Sequence, residues 1–428
     1  MRKNINKLVA VAIGVSVISG SIMPAFAADT NIQNTSTTSN VQAQTNVNSV
    51  FTLDDAIKAA ASNSDTLALD DKTISYQNKI NDTNEDLDDA KNVGGDEEDL
   101  DKDTRDNKLK QLKQQRDFDE DNLIQKTTKA YNDIVTKQMK INKTIKLLEV
   151  RNKELNDAKL KKNLGIITSV ELGDTELQIQ NLQNQQKLSV NQLKDAQDSF
   201  KVITGKDVTQ CTLEQDIKYE KFKIDGSVDE YLDNVIDNYL KLKIDSLKLN
   251  KDYYDDKDHQ VSEDDVKTAK TTSDNAAAPT MSVGETYDTY MKDYNKYEND
   301  KNAYISTLSS RLSYLGTKLT IYGTETSLEV NKKELKDSLK QLYTNILSKE
   351  ADIEYLKEKI ELNNKKLSNA KLKYDLGMMT KSEYTKLIVD DQGSEDLDIQ
   401  LRTTIDTYNT LKETIQKPWI SSAGVANS

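Results

Sequence analysis

The stretch "KLKKNLGIIT", Lys159–Thr168, returns as "KLKYDLGMMT", Lys371–Thr380. In each, a glycine and two large apolar residues stand between runs of charge. From Leu335, steps of four and three residues reach Leu339, Leu342, Ile346, Lys349, Ile353, Leu356, Ile360, Asn363, Leu367, Ala370 and Tyr374. That is the rhythm of a coiled-coil seam. The same comb moved back by 212 residues, the separation of Gly165 and Gly377, lands on Leu123, Thr127, Ala130, Ile134, Ile141, Leu148, Leu155 and Ala158. The two halves are copies of one unit.

Beyond each motif the apolar spacing resumes, through Leu172, Ile179, Leu182, Leu193, Ala196, Phe200 and Ile203 in the first copy. In the second it runs through Leu387, Leu397, Leu401, Tyr408, Leu411 and Ile415. Each motif therefore sits between two long helices whose seams need partners, and a helical hairpin supplies them. Gly165 and Gly377 give the backbone freedom for the reversal, and Thr168 and Thr380 can cap the returning helix. An uninterrupted helix tolerating one glycine would lose only about 1 kcal/mol, so energy alone does not decide between the two.

Composition favours such helices. Hydrophobic residues make up 36% of the chain and aromatics 6%, with three prolines, too little for a thick globular core but enough for narrow seams. Arg2, Lys3 and Lys7, the apolar run "LVAVAIGVSVISGSI" and the small residues Ala25 and Ala27 read as a cleaved Sec signal over 1–27. A polar leader follows over 28–50. The first repeat spans 51–205, a linker 206–227, the second repeat 228–416 and a tail 417–428. Thr52, followed by Asp54 and Asp55, is placed to cap the first folded helix.

The formal charge of −13 falls to about −16 without the signal, which disfavours nucleic acid and anionic membrane surfaces as partners. The single cysteine, Cys211, cannot form an internal disulfide. His259 is the only histidine, so a triad or a histidine metal cluster would have to be built around it alone. Asp99, Asp101 and Asp103 imitate the start of a calcium loop, but Thr104 and Lys110 occupy the positions that require Gly and Glu. These features predict a protein that is not an enzyme and takes no cofactor, metal or enzyme substrate.

The duplicated order of long helix, Leu-Gly-x-x-Thr tip, acidic residue and apolar residue resembles the TolC-like outer-membrane efflux proteins. The residues that carry it are Leu164, Gly165, Thr168, Glu171 and Leu172, and again Leu376, Gly377, Thr380, Glu383 and Tyr384. The opening "FTLDDAIKAAASNSDTL" and "VDEYLDNVIDNYLKLKI" look like the helices that begin each repeat. The resemblance implies an all-α, elongated bundle of antiparallel coiled-coil helices. It also implies a homotrimeric conduit in the cell envelope whose tips dock a membrane-fusion adaptor of an efflux pump or secretion system. The tip residues so implied are Leu164, Gly165, Ile166, Ile167 and Thr168, with Leu376, Gly377, Met378, Met379 and Thr380.

The sequence departs from that family where membrane strands should be. "AKNVGGDEEDLDKDTRDNK", Ala90–Lys108, is acidic and lacks the alternation a membrane strand needs. His259–Gly284 is polar and reads as a loop. Downstream, Tyr287, Tyr290, Tyr294, Tyr297, Tyr304, Leu308, Leu315, Leu319 and Tyr322 follow helical spacing and read as helix core, with "KLTIYGTETSLEV", Lys318–Val330, as a weak strand candidate. The expected barrel is reduced or absent, which fits a helical body from an envelope without an outer membrane, wall-associated or extracellular, or one in which the barrel has been lost; a barrel, if present, would place the protein in the outer membrane. An exported coiled-coil scaffold without a transport lumen is the alternative.

Overall fold

The structure is a computed structural model that describes residues 50–92, 94–390 and 393–420. The signal segment and all of the leader except Val50 lie outside the described residues, as does the end of the tail. The two-residue strands β1 (Val50–Phe51) and β2 (Thr212–Leu213) pair in parallel, with Val50 opposite Thr212. Among the described residues they form the only sheet, and no barrel is closed. Among the described residues no helix is long and apolar enough to cross a membrane.

The first copy contains α1 (Leu53–Ser62), α2 (Asp65–Lys91), α3 (Asp96–Asn163) and α4 (Ser169–Thr204). The second contains α5 (Val228–Asp255), a 3-10 turn at Lys257–His259, α6 (Glu263–Asn275), α7 (Tyr287–Asp375), α8 (Lys381–Asp390) and α9 (Gly393–Gln416). At ~1.5 Å per residue α3 is about 100 Å long and α7 about 130 Å. Thr52 caps α1 in a reciprocal box: its Oγ accepts from Asp55 N at 3.2 Å while its own N–H donates to Asp55 Oδ2 at 3.1 Å.

The long helix α3 begins at Asp96, so most of the acidic segment Ala90–Lys108 is helical. Asp96, Glu97, Glu98 and Asp99 fill its first turn, where negative charge suits the positive end of the dipole. Asp99, Asp101 and Asp103 are therefore helical rather than the start of a loop, and residues two apart point away from each other. The polar segment after His259 is partly helix, because Ser262 and Asp265 make a second capping box for α6. Lys318–Val330 is also helix. Thr320, Thr324 and Thr326 return their hydroxyls to carbonyls four residues back, at 2.8–3.0 Å, and buried Ile321 and half-buried Leu328 keep the seven-residue repeat.

Contacts divide the chain into two units. One comprises Ile74–Leu112 and Ile236–Lys336; the other comprises Lys113–Val235 with the described residues before Ile74 and after Lys336. In the larger unit the predicted comb is the buried face of α7, with Leu339, Ile346 and Ile353 fully covered. Its first-copy counterparts Thr127, Ile134, Ile141 and Leu148 are buried in α3. Ala56, Tyr131, Ile134, Val135, Phe200 and Val208 form one cluster, into which Phe51, Leu213 and the half-buried thiol Cys211 pack. The Tyr131 hydroxyl donates to Phe51 O at 2.8 Å and also meets Glu214 O at 3.2 Å, holding both strands. Burial pushes its pKa up to about 12.

In the smaller unit the polar links run from α2 to α3, from α3 to α5, and from α5 to α7. Arg105 pairs with Asp88 at 3.1 Å, Asn107 Nδ2 donates to Leu242 O at 3.0 Å, and Lys251 pairs with Glu325 at 2.7 Å. The tyrosine stretch at the start of α7 is helical as expected, but Tyr287, Tyr322, Leu308, Leu315 and Leu319 are exposed rather than core. Spacing fixed the helix without saying which of its faces is covered.

Candidate functional site: two hairpin tips

Each predicted tip is a reversal built from two local motifs. At the end of α3, Ile166 N donates to Lys161 O at 2.8 Å and Gly165 N to Lys162 O at 2.9 Å. At the end of α7, Met378 N donates to Lys373 O at 2.8 Å and Gly377 N to Tyr374 O at 3.0 Å. This is a Schellman closure, which needs a left-handed residue, and both glycines have φ +72°. The alternative of an unbroken helix is thereby excluded.

Threonine then starts the return. Thr168 N donates to Glu171 Oε2 at 2.7 Å and Glu171 N to Thr168 Oγ at 3.2 Å. Thr380 and Glu383 repeat the pair at 2.9 and 3.2 Å. The Thr backbone N–H and hydroxyl hold each glutamate's pKa below the ordinary value, because both bonds favour the charged carboxylate. A Schellman closure and a capping box within eleven residues leave little conformational freedom, so side chains carried between them are displayed on a fixed turn.

Those side chains are apolar and uncovered. Leu164 is 74% exposed and Leu376 64%; Ile166 is 65% and its counterpart Met378 73%. Ile167 and Met379 are half-buried. The structure thus brings together the five predicted residues of each tip and separates two outward apolar positions from one tucked in. Sequence reasoning missed Leu160 and Leu372, which extend the exposed surface one turn down each first helix. They fall off the seam comb, and that was the available signal.

The tips differ in one support. Tyr374 and Tyr384 stack at the second, with ring centroids 4.9 Å apart and planes 9° from parallel; the first has Lys162 and Leu172 at those places. Also missed was the role of the linker. Residues 215–222 run along α9, held by Arg402 Nη1 donating to Gln215 O, Asn409 Nδ2 to Lys218 O at 2.8 Å and Phe222 N to the Tyr408 hydroxyl at 2.6 Å. Among the described residues no cluster of His, Cys, Asp and Glu side chains is placed to hold a metal ion.

No family model and no curated protein matches this chain in sequence. Solved structures do match in fold. The outer-membrane channel OprN aligns with a TM-score of 0.52 at 10% identity, covering 86% of this chain and 90% of that one. The open state of the Neisseria gonorrhoeae MtrE outer membrane channel aligns at 0.45 and 9% identity over 86% and 88% of the two chains. The Campylobacter jejuni CmeC outer membrane channel aligns at 0.43 and 12% over 93% and 94%. The OprN alignment shows that this chain has a TolC-like helical fold at 10% sequence identity.

Proposed function

We propose that the chain is an exported envelope component of an efflux or secretion system, a helical conduit or spacer that receives a membrane-fusion adaptor at its two hairpin tips. One observation carries this: two turns 212 residues apart, with the same backbone bonds, hold Leu164 and Ile166, and Leu376 and Met378, outward into solvent. Apolar side chains fixed on a rigid turn away from a core mark a contact surface, and methionine adapts to partner shape. The TolC-like fold supports a role like that of the channels it resembles, with several copies, three in the assembly the resemblance implies, around a lumen. The reaction is transport, without an enzyme substrate, cofactor or nucleic acid.

A photo-crosslinking residue at position 166 or 378, in cells that make the protein, tests the adaptor contact. The expected product is a covalent complex with an adaptor-class protein, lost when Leu164→Asp or Leu376→Asp is added to the same tip. Tips that capture no such protein, with Asp variants that leave transport unchanged, would favour the scaffold without a lumen.

A further inference from the structure

Where α5 ends beside the start of α3, two regions of negative charge face each other inside the smaller unit. Asp96, Glu97, Glu98 and Asp99 open α3. The end of α5 presents its last carbonyls, the negative pole of its dipole, together with Asp255 and, in the turn that follows, Asp256 and Asp258. Burial, and after it the carboxylates of Glu97, Asp96 and Asp101, push the Tyr253 phenol up from its ordinary value, so the acids of α3 are felt at the end of α5. Between the two regions stands His259, the only histidine of the chain, its side chain 18% exposed. Of the cations on the same elements, Lys257 is exposed in the turn, Lys318 pairs with Asp255, and Arg311 donates to Val261 O.

Side chains cap the last carbonyls of α5. His259 Nδ1 lies 3.1 Å from Tyr253 O, the Tyr314 hydroxyl donates to Tyr254 O at 3.4 Å, and Gln260 Nε2 donates to Asp255 O at 2.9 Å. A carbonyl oxygen only accepts, so Nδ1 carries a proton. In the neutral ring Nε2 is then a bare lone pair, and it faces Asp96 Oδ2 at 3.4 Å, one acceptor against another. A proton on Nε2 turns that opposition into a charge-assisted hydrogen bond, and Asp96, 72% exposed, has room to close on it. The same proton sets a cation against the face of Tyr253, whose ring stacks on the imidazole with centroids 3.9 Å apart and planes 12° from parallel. It also suits the negative pole of α5. Lost hydration opposes the charge only in part, because the ring keeps contact with water.

We propose that His259 is an acid-operated clasp. As imidazolium it ties the end of α5 and the turn that follows to the first turn of α3; as neutral imidazole it keeps Tyr253 O and releases Asp96. Protonation favours closure, so the clasp is shut below the range in which histidine titrates and opens as pH rises through it. A further link between the same helices, Asn107 and Gln111 donating to Leu242 O at 3.0 and 3.3 Å, contains no titratable group and lies about three turns along α3. Opening is therefore confined to the segment between the two links. For an exported chain the pH that works the clasp is that of the surroundings, and the clasp stands or falls independently of the conduit.

Amide hydrogen exchange of the whole mature protein, read by mass spectrometry between about pH 5 and 8 and corrected for the intrinsic rate, tests the clasp. Protection over 96–106 and 256–260 is expected to fall roughly tenfold as pH rises, the effect of one hydrogen bond to a charged group. Both hairpin tips should stay constant across that range. His259→Gln should show the open value at every pH. His259→Arg, a permanent cation able to stack on Tyr253 and donate to both oxygens, should hold the closed value at the alkaline end. Asp96→Asn should flatten most of the dependence, whereas Glu97→Gln, which removes the same charge from the same helix turn, should leave it in place. Equal loss in Asp96→Asn and Glu97→Gln would trace the effect to the helix end as a whole and overturn the clasp. So would wild-type protection that is flat or rises with pH, a dependence that survives in His259→Gln, or a folded His259→Arg protein that is open at the alkaline end.

Discussion

The two copies agree at their tips and differ where their helices begin and end. In the first, the opening helix breaks at Asn63, whose Nδ2 donates to Val202 O at 3.1 Å and Ile203 O at 3.2 Å, capping α4 across the joint. In the second, α5 runs unbroken for 28 residues. The two reversals share what is set within eleven residues, the Schellman closure and the capping box. They differ in what depends on distant partners.

The shared seam should give the largest effects. Ile346 and its counterpart Ile134 are at most 2% exposed, so alanine at either is expected to cost about 2–5 kcal/mol. Equal losses in denaturant titrations would show that both copies are held by the same packing; a small loss at one would break the equivalence. Next come the glycines. Gly165, Gly377 and Gly205 all have positive φ, where alanine costs about 1–2 kcal/mol. The tips are open around the added Cβ, but at Gly205 it would lie 2.9 Å from Asn63 Oδ1. Gly205→Ala should therefore lower Tm most, and adding Asn63→Ala should lessen the penalty of the alanine at 205.

A smaller difference separates the tips themselves. Tyr374→Ala should remove about 0.5–1.5 kcal/mol of ring stacking from the second tip, measurable as faster amide exchange there, while Lys162→Ala leaves the first unchanged. The smallest effect is on pH. The glutamates of both boxes have folded pKa values below their unfolded ones, so their contribution is present above the unfolded pKa and is lost as pH falls through the folded value. Tip amides should become less protected on acidification, equally in both copies, and Glu171→Gln should flatten that dependence at one tip only.

The coiled-coil seam and the turns were legible because they rest on periodicity and on Gly and Thr at fixed offsets. The acidic start of α3 was not, since Asp96–Asp99 carry no apolar period and are stabilised by their place at a helix N-terminus. Nor was the threonine-rich part of α7, where β-branched residues suggested a strand and tertiary packing decided otherwise. Among the tip residues, the positions of Leu164, Ile166, Leu376 and Met378 followed from the repeat; which of the apolar residues would be exposed and which, like Ile167 and Met379, half-buried did not. The Tyr374–Tyr384 stack did not, because nothing in one sequence fixes how two rings across a turn will meet. The linker's path along α9 depends on Arg402, Tyr408 and Asn409, nearly 190 residues away, beyond the reach of any local pattern.

The short ladder between β1 and β2 has a consequence for the order of folding. Each hairpin is closed by neighbours in sequence and can form as soon as its own two arms exist. Val50 and Phe51, in contrast, find their partners only at Thr212 and Leu213, and the Tyr131 hydroxyl joins Phe51 O and Glu214 O only when both are in place. A chain delivered from its N-terminus must therefore hold the beginning of its first copy unpaired until more than 150 further residues have emerged. Loop closure of that length is slow compared with helix growth, so seating of the first strand, not formation of the long helices, sets when the first copy is complete.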